Sequence, residues 1–159
     1  MNKTDEKSLN KMAVSATLHC LTGCAIGEVL GLIIGTALGL DAHVTIILAI
    51  GLAFLFGYTL STLPLLKAGM SLKAALTVVL AADTLSIAVM ELVDNAVMAI
   101  IPGAMNASLV NPIFWVAMPI ALTVAFFAAL PVNKYLLKRN KGHALSMQHM
   151  AAHGHHHHH

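Results

Sequence analysis

Four stretches of this chain are long and apolar enough to cross a lipid bilayer, and that restricts the folds open to it more than any other feature. They run approximately Val14–Leu40, Val44–Leu63, Ala74–Ile101 and Pro112–Leu130. Each reaches the roughly 18–20 residues that a helix needs to span a hydrocarbon core. Composition agrees: the chain is 58% hydrophobic and only 10% charged, against about 25% charged in a soluble domain. The expected fold is an all-α membrane protein with four transmembrane helices in about one domain. Pro64 is expected to close the second helix and Pro102-Gly103 the third. Pro112 suits the first position of the fourth, where its missing N–H is harmless, and Pro119 should kink that helix. The first apolar run is too long for a cleavable signal peptide.

The basic residues are segregated between these spans. Lys3, Lys7 and Lys11 precede the first, Lys67 and Lys73 lie between the second and third, and Lys134, Lys138, Arg139 and Lys141 follow the fourth. The connections Gly39–His43 and Pro102–Asn111 carry neither Lys nor Arg. Under the positive-inside rule both termini and the middle loop are expected in the cytoplasm. The chain then divides into a cytoplasmic segment 1–13, a transmembrane domain 14–133 and a basic, His-rich tail 134–159. A formal charge of +2, dispersed in this way, gives no footprint for nucleic acid. The ending "MQHMAAHGHHHHH" holds seven of the ten histidines. It reads as a purification tag on a natural end, with a native metal-catching tail as the alternative.

Inside the spans there is no Lys or Arg, yet Glu28, Asp83, Glu91 and Asp94 are present. An acidic residue at the centre of a membrane helix costs about 2.5–3.5 kcal/mol. These groups must be protonated, hydrogen-bonded, hydrated or balanced by a cation, either as a structural network or as a functional path. In the third span, with Asp83 set at zero, Asp94 falls at about 20°, Met90 at −20°, Met98 at 60° and Glu91 at 80°. Three carboxylates and two thioethers share one stripe, with Ser86 at its edge. Asp83 and Asp94 are about 16 Å apart along the axis, which suits successive sites better than one compact site.

The first span carries His19, Cys20, Cys24 and Glu28 beside Gly23, Gly27, Gly31 and Gly35. The glycines form a small-xxx-small ladder that permits close helix approach, and Cys20, Cys24 and Glu28 lie on the same side. His19 projects about 100° away from Cys20, so it is at most an accessory ligand. Two cysteines at i, i+4 fit disulfide geometry poorly and are expected as free thiols. Counted from the starts of their spans, Cys24 and Asp83 should lie at similar depth, about 14–15 Å in. Glu28 should then lie near Ser86 and Ile87.

Thiolates and thioethers select Cu(I) or Zn(II), and carboxylates suit harder cations and protons. A metal site is therefore expected from Cys20, Cys24, Glu28, Asp83 and Met90, with Glu91, Asp94 and Met98 as an ion pathway or proton relay. Against this, buried Cys also serves as a small hydrophobe in helix contacts, and Met as core filler. The leading reading is a cation transporter or channel, for a transition metal or coupled to protons, with the bilayer and further copies of itself as partners. A homo-oligomer is expected because four helices with few interior polar groups make a small bundle. The alternatives are a non-transporting assembly or sensor subunit, and a thiol oxidoreductase using Cys20 and Cys24. The cytoplasmic-side depth and i, i+4 spacing of those cysteines argue against an enzyme.

The stretches "TLHCLTGCAIGEVLG", "AADTLSIAVMELVDNAVM" and "IPGAMNASLVNPIFW" resemble the bacterial membrane family known as domain of unknown function 4396, over Lys11 to about His143. The resemblance implies a multi-pass protein of the bacterial inner membrane. It implies that Cys20, Cys24, Glu28, Asp83, Glu91 and Asp94 belong to shared motif blocks, and it carries no catalytic assignment.

Overall fold

The computed structural model describes residues 3–153, with side chains described through Arg139. Readings that concern the terminal run of histidines, residues 155–159, and the side chains of His143, His149 and His153 lie outside the described residues. Four helices make up the fold: α1 Lys3–Leu38, α2 Ala42–Lys67, α3 Leu72–Ile100 and α4 Pro112–His153. All four are long and apolar enough to cross a membrane. Helices satisfy their own backbone hydrogen bonds, as lipid demands.

The ends of the helices follow from local chemistry. At the end of α1, Gly39 adopts φ +63, and Leu40 N–H donates to Gly35 O at 2.9 Å. The Asp41 carboxylate then accepts from His43 N and Val44 N and starts α2. Pro64 does not close α2, contrary to the sequence expectation: the helix runs on to Lys67. The stop is Gly69, whose φ of +87 lets Met70 N–H reach Leu65 O at 3.1 Å and Gly69 N–H reach Leu66 O at 3.0 Å. This double bond pattern satisfies the last carbonyls, which a proline alone cannot do. Ser71 caps α3, Pro102-Gly103 follows its end as expected, and Asn111 Oδ1 accepts from Ile113 N at 3.1 Å to open α4 at Pro112. The helix continues through both Pro119 and Pro131.

Two helices outrun the bilayer. The 36 residues of α1 span about 54 Å, against a hydrocarbon core of roughly 30 Å. The segment before the first span is thus a helical continuation of it. It lies at the same end of the bundle as the α2–α3 turn and the second half of α4, here termed the basic end. There Asn133 Nδ2 donates to Thr17 Oγ1 at 2.8 Å, and Thr17 donates in turn to Ala13 O. Asn133 and Thr17 are both buried. Asn133→Ala is expected to lower stability by about 1 kcal/mol, measured as the thermal midpoint in detergent. The exposed Lys134–Glu6 pair at 4.0 Å adds little.

The glycine ladder decides which helices pair. Gly23, Gly27, Gly31 and Gly35 face Gly57, Ala53, Ala49 and Thr45 of α2 in antiparallel order. A Cβ at Gly23 would stand 2.5 Å from Gly57 Cα, and one at Gly31 2.5 Å from Ala49 Cα. The two backbones are therefore in direct contact, and α1–α2 is the most extensive helix pair in the bundle. A Cβ at Gly57 would meet Ile87 Cδ1 at 2.7 Å, so α3 sits on the same junction. Among the described residues the backbones of α2 and α4 stay apart, and α1 and α3 form the central diagonal.

Candidate functional site

The central diagonal carries the polar residues. On α3 the buried positions are Ala75, Val79, Asp83, Ser86, Ile87, Met90, Glu91 and Asp94; they include the polar stripe that the helical period predicts, with Met98 half-buried at its end. On α1 the facing positions are Cys20 and Cys24, both buried, and Glu28, half-buried. They meet as three successive rungs. At the basic end the Asp83 carboxyl faces the Cys20 thiol and the Ser61 hydroxyl of α2, and Cys20 Sγ lies 3.9 Å from Ser61 Oγ. Next, the Cys24 thiol faces Glu91, without an aligned hydrogen bond. At the distal rung Glu28 faces Asp94.

This register differs from the depth expected by counting from the apolar starts. Asp83 pairs with Cys20 rather than Cys24, and Glu28 reaches Asp94 rather than Ser86 and Ile87. The offset is one helical turn, about 6 Å, at Cys20, and about two turns, roughly 10–12 Å, at Cys24 and Glu28. It arises because α1 is fixed by the backbone contacts of its glycines on α2, not by where its apolar run begins.

Two cavities flank the rungs. The basic-end cavity, about 400 Å³, is lined by Ser15 and His19 of α1, Ser61 of α2 and Asp83 of α3. His19 Nδ1–H donates to Ser15 O at 2.7 Å, which fixes the ring orientation. His19 therefore stays away from Cys24 and Glu28, as its angle requires, yet shares this cavity with Asp83. The distal cavity, about 70 Å³, is lined by Glu28, Glu91, Asp94, Asn95 and Met98. The α3–α4 connection covers it with Ala104, Met105 and Ala107. Between the two lies a packed zone of Cys20, Cys24, Ile87 and Met90 against Ala53 of α2 and Ala125 and Ala129 of α4.

The five residues expected to form one metal site are thus distributed over separate rungs, and Met90 is core packing. Among the described residues, no three His, Cys, Asp or Glu side chains converge on a point where they could hold an ion. Both cysteines are free thiols. Several buried polar atoms lack a hydrogen-bond partner among the described residues: both oxygens of Glu91, Asp94 Oδ1, Ser86 Oγ and Thr62 Oγ1. Asn95 also lines the distal cavity, and its Nδ2 donates to Glu91 O at 2.8 Å. Sequence reasoning missed the small ladder Thr45, Ala49, Ala53, Gly57 on α2, although its spacing of four is the mirror of the glycine ladder. It also missed the distal cover, whose irregular backbone carries no periodic signal.

A family model matches residues 9–142, which takes in all four spans and every rung of the diagonal. The chain belongs to the DUF4396 family, described as a domain of unknown function. The His-rich ending lies beyond the region that defines this DUF4396 match. No curated protein and no solved structure matches the chain.

Proposed function

We propose that this protein is a cation transporter or channel of the bacterial inner membrane, with both termini in the cytoplasm. The observation that carries the reading is a line of buried acids and thiols joining a cavity at the basic end to a cavity at the distal end. Carboxylates removed from water can replace the hydration of a passing cation, and ionisable groups within a membrane are functional by default. No Lys or Arg within the spans competes for them. The segregation of all nine basic residues supports the orientation.

The path proposed lies within one chain, so a homo-oligomer would set several paths side by side. Native mass measurement in detergent decides their number. A proton-coupled cation fits a ladder whose acids stand in pairs with other groups. The soft-metal version, with Cu(I) or Zn(II) held by Cys20 and Cys24, draws on the burial of both thiols along the same line. That burial counts against a thiol oxidoreductase, since disulfide exchange needs access. In reconstituted vesicles, cation-driven proton movement and uptake of Cu(I) or Zn(II) are expected to fall to the protein-free background in the double variant Asp83→Asn, Glu91→Gln. Undiminished flux in a folded double variant overturns the proposal, and absence of flux in the wild type favours an assembly or sensor subunit.

A further inference from the structure

The distal cavity has a donor set of its own, different from that of the thiol rungs. Glu91 and Asp94 are 5% and 4% exposed, and both Glu91 oxygens and Asp94 Oδ1 have no hydrogen-bond partner among the described residues. Glu28 faces Asp94 from α1 and lines the same cavity. Asn95 spends its amide N–H on the Glu91 carbonyl, so its side-chain oxygen remains an acceptor. Five oxygen-bearing side chains, with Thr45 of α2 as the fifth, thus line one space with no protein cation among them. Met98 and Met105 contribute thioethers to the wall.

Two magnitudes select the ligand. The cavity volume of about 70 Å³ compares with the roughly 10–15 Å³ that one water needs by the same measure. It therefore has room for a small cation together with several waters. Among the described residues no three carboxylates come together as direct ligands, so an ion seated here would be held through bridging waters. A hard divalent cation of the Mg²⁺ kind has this habit: it gives up water reluctantly and is held by one or two carboxylates through the rest of its shell. Soft ions would prefer sulfur, and the carboxylates outnumber the thioethers.

We infer that the distal cavity is a binding site for a partly hydrated hard divalent cation, held by Glu28, Glu91 and Asp94 with Asn95 as a further oxygen donor. The inference rests on the cation-handling reading for its purpose, but its test reads binding alone. The full chain in detergent is titrated with Mn²⁺, followed by electron paramagnetic resonance, and then with Mg²⁺ as competitor. One Mn²⁺ per chain is expected, displaced by Mg²⁺. Glu91→Gln and Asp94→Asn should each weaken it about 10-fold or more, and the surface variant Glu6→Gln should not. The histidines of the tail are present in every variant, so the differences isolate the cavity. Glu28→Gln, at a half-buried position, serves if a buried variant fails to fold. Absence of Mn²⁺ binding, binding unmoved by these variants, or a site that takes Cu(I) and ignores Mg²⁺ overturns the inference. Flux without Mn²⁺ binding removes the site and keeps the path, whereas binding without flux keeps the site and removes transport.

Discussion

Gly27→Leu will disassemble the bundle. A side chain at that position would run into the backbone of Ala53, and even its Cβ would overlap the Ala53 N and Cα. Overpacking against a flexible side chain costs about 1–3 kcal/mol. Here the opposing atoms are main chain on a helix held by three further contacts of the same ladder, so they cannot step aside separately. A loss of at least about 3 kcal/mol is expected. The only two cysteines, Cys20 and Cys24, are buried, so reaction with a thiol-specific dye during heating reports unfolding directly. In the variant these thiols should react at temperatures where the parent protein is inert. Gly51 is the control: a Cβ there meets nothing within 4 Å. Gly51→Ala should leave the midpoint unchanged or raise it by up to about 1 kcal/mol, the helix propensity difference. Equal behaviour of the two variants would refute the ladder as the basis of α1–α2 pairing.

Glu91→Met should stabilise the protein and silence it. Glu91 is buried beside a thiol, with neither oxygen hydrogen-bonded among the described residues. An acidic group at the centre of a membrane helix costs about 2.5–3.5 kcal/mol, and replacing a buried ionisable group with a well-packed apolar one is often stabilising. Methionine is unbranched and of similar length, so it can fill the space without strain. A gain of about 2 kcal/mol is expected in the presence of a chelator, where no bound cation offsets the cost. Flux should fall to background in the same variant, because the middle rung is gone. A loss of stability on this substitution would mean that Glu91 has a structural partner and is not kept for function. Stability and activity are expected to move in opposite directions, as at other sites where function requires an unfavourable group.

The sequence made the spans and the polar stripe legible for one physical reason: transfer into lipid is costly enough to write itself into every residue of a helix. The stripe Asp83, Met90, Glu91, Asp94 needed only a period of 3.6 and the rule that acids avoid lipid. The pairing of rungs was not legible. Depth counted from the first apolar residue assumed that α1 and α3 begin at one plane, whereas backbone contact of Gly23–Gly35 with α2 sets the height of α1. Pro64 misled because a proline removes one hydrogen bond without ending a helix, and the true stop at Gly69 lies five residues on. The angle of about 100° between His19 and Cys20 comes from a helical projection, which contains one helix. It could not show that Ser61 of α2 and Asp83 of α3 line the same cavity as the imidazole.

The unequal division of polar groups among the helices also bears on how the chain is built. Of the four intramembrane acids, α3 carries Asp83, Glu91 and Asp94, and α1 only Glu28. Synthesis delivers α1 and α2 first, and their contact consists of small residues that need no third helix to close. When α3 emerges, Cys20, Cys24, Glu28 and Ser61 already form a prepared edge along which its acids can leave the lipid. If the hairpin of α1 and α2 forms first, insertion of the third span becomes a docking step onto it, and a weakened glycine ladder is expected to lower the yield of inserted α3.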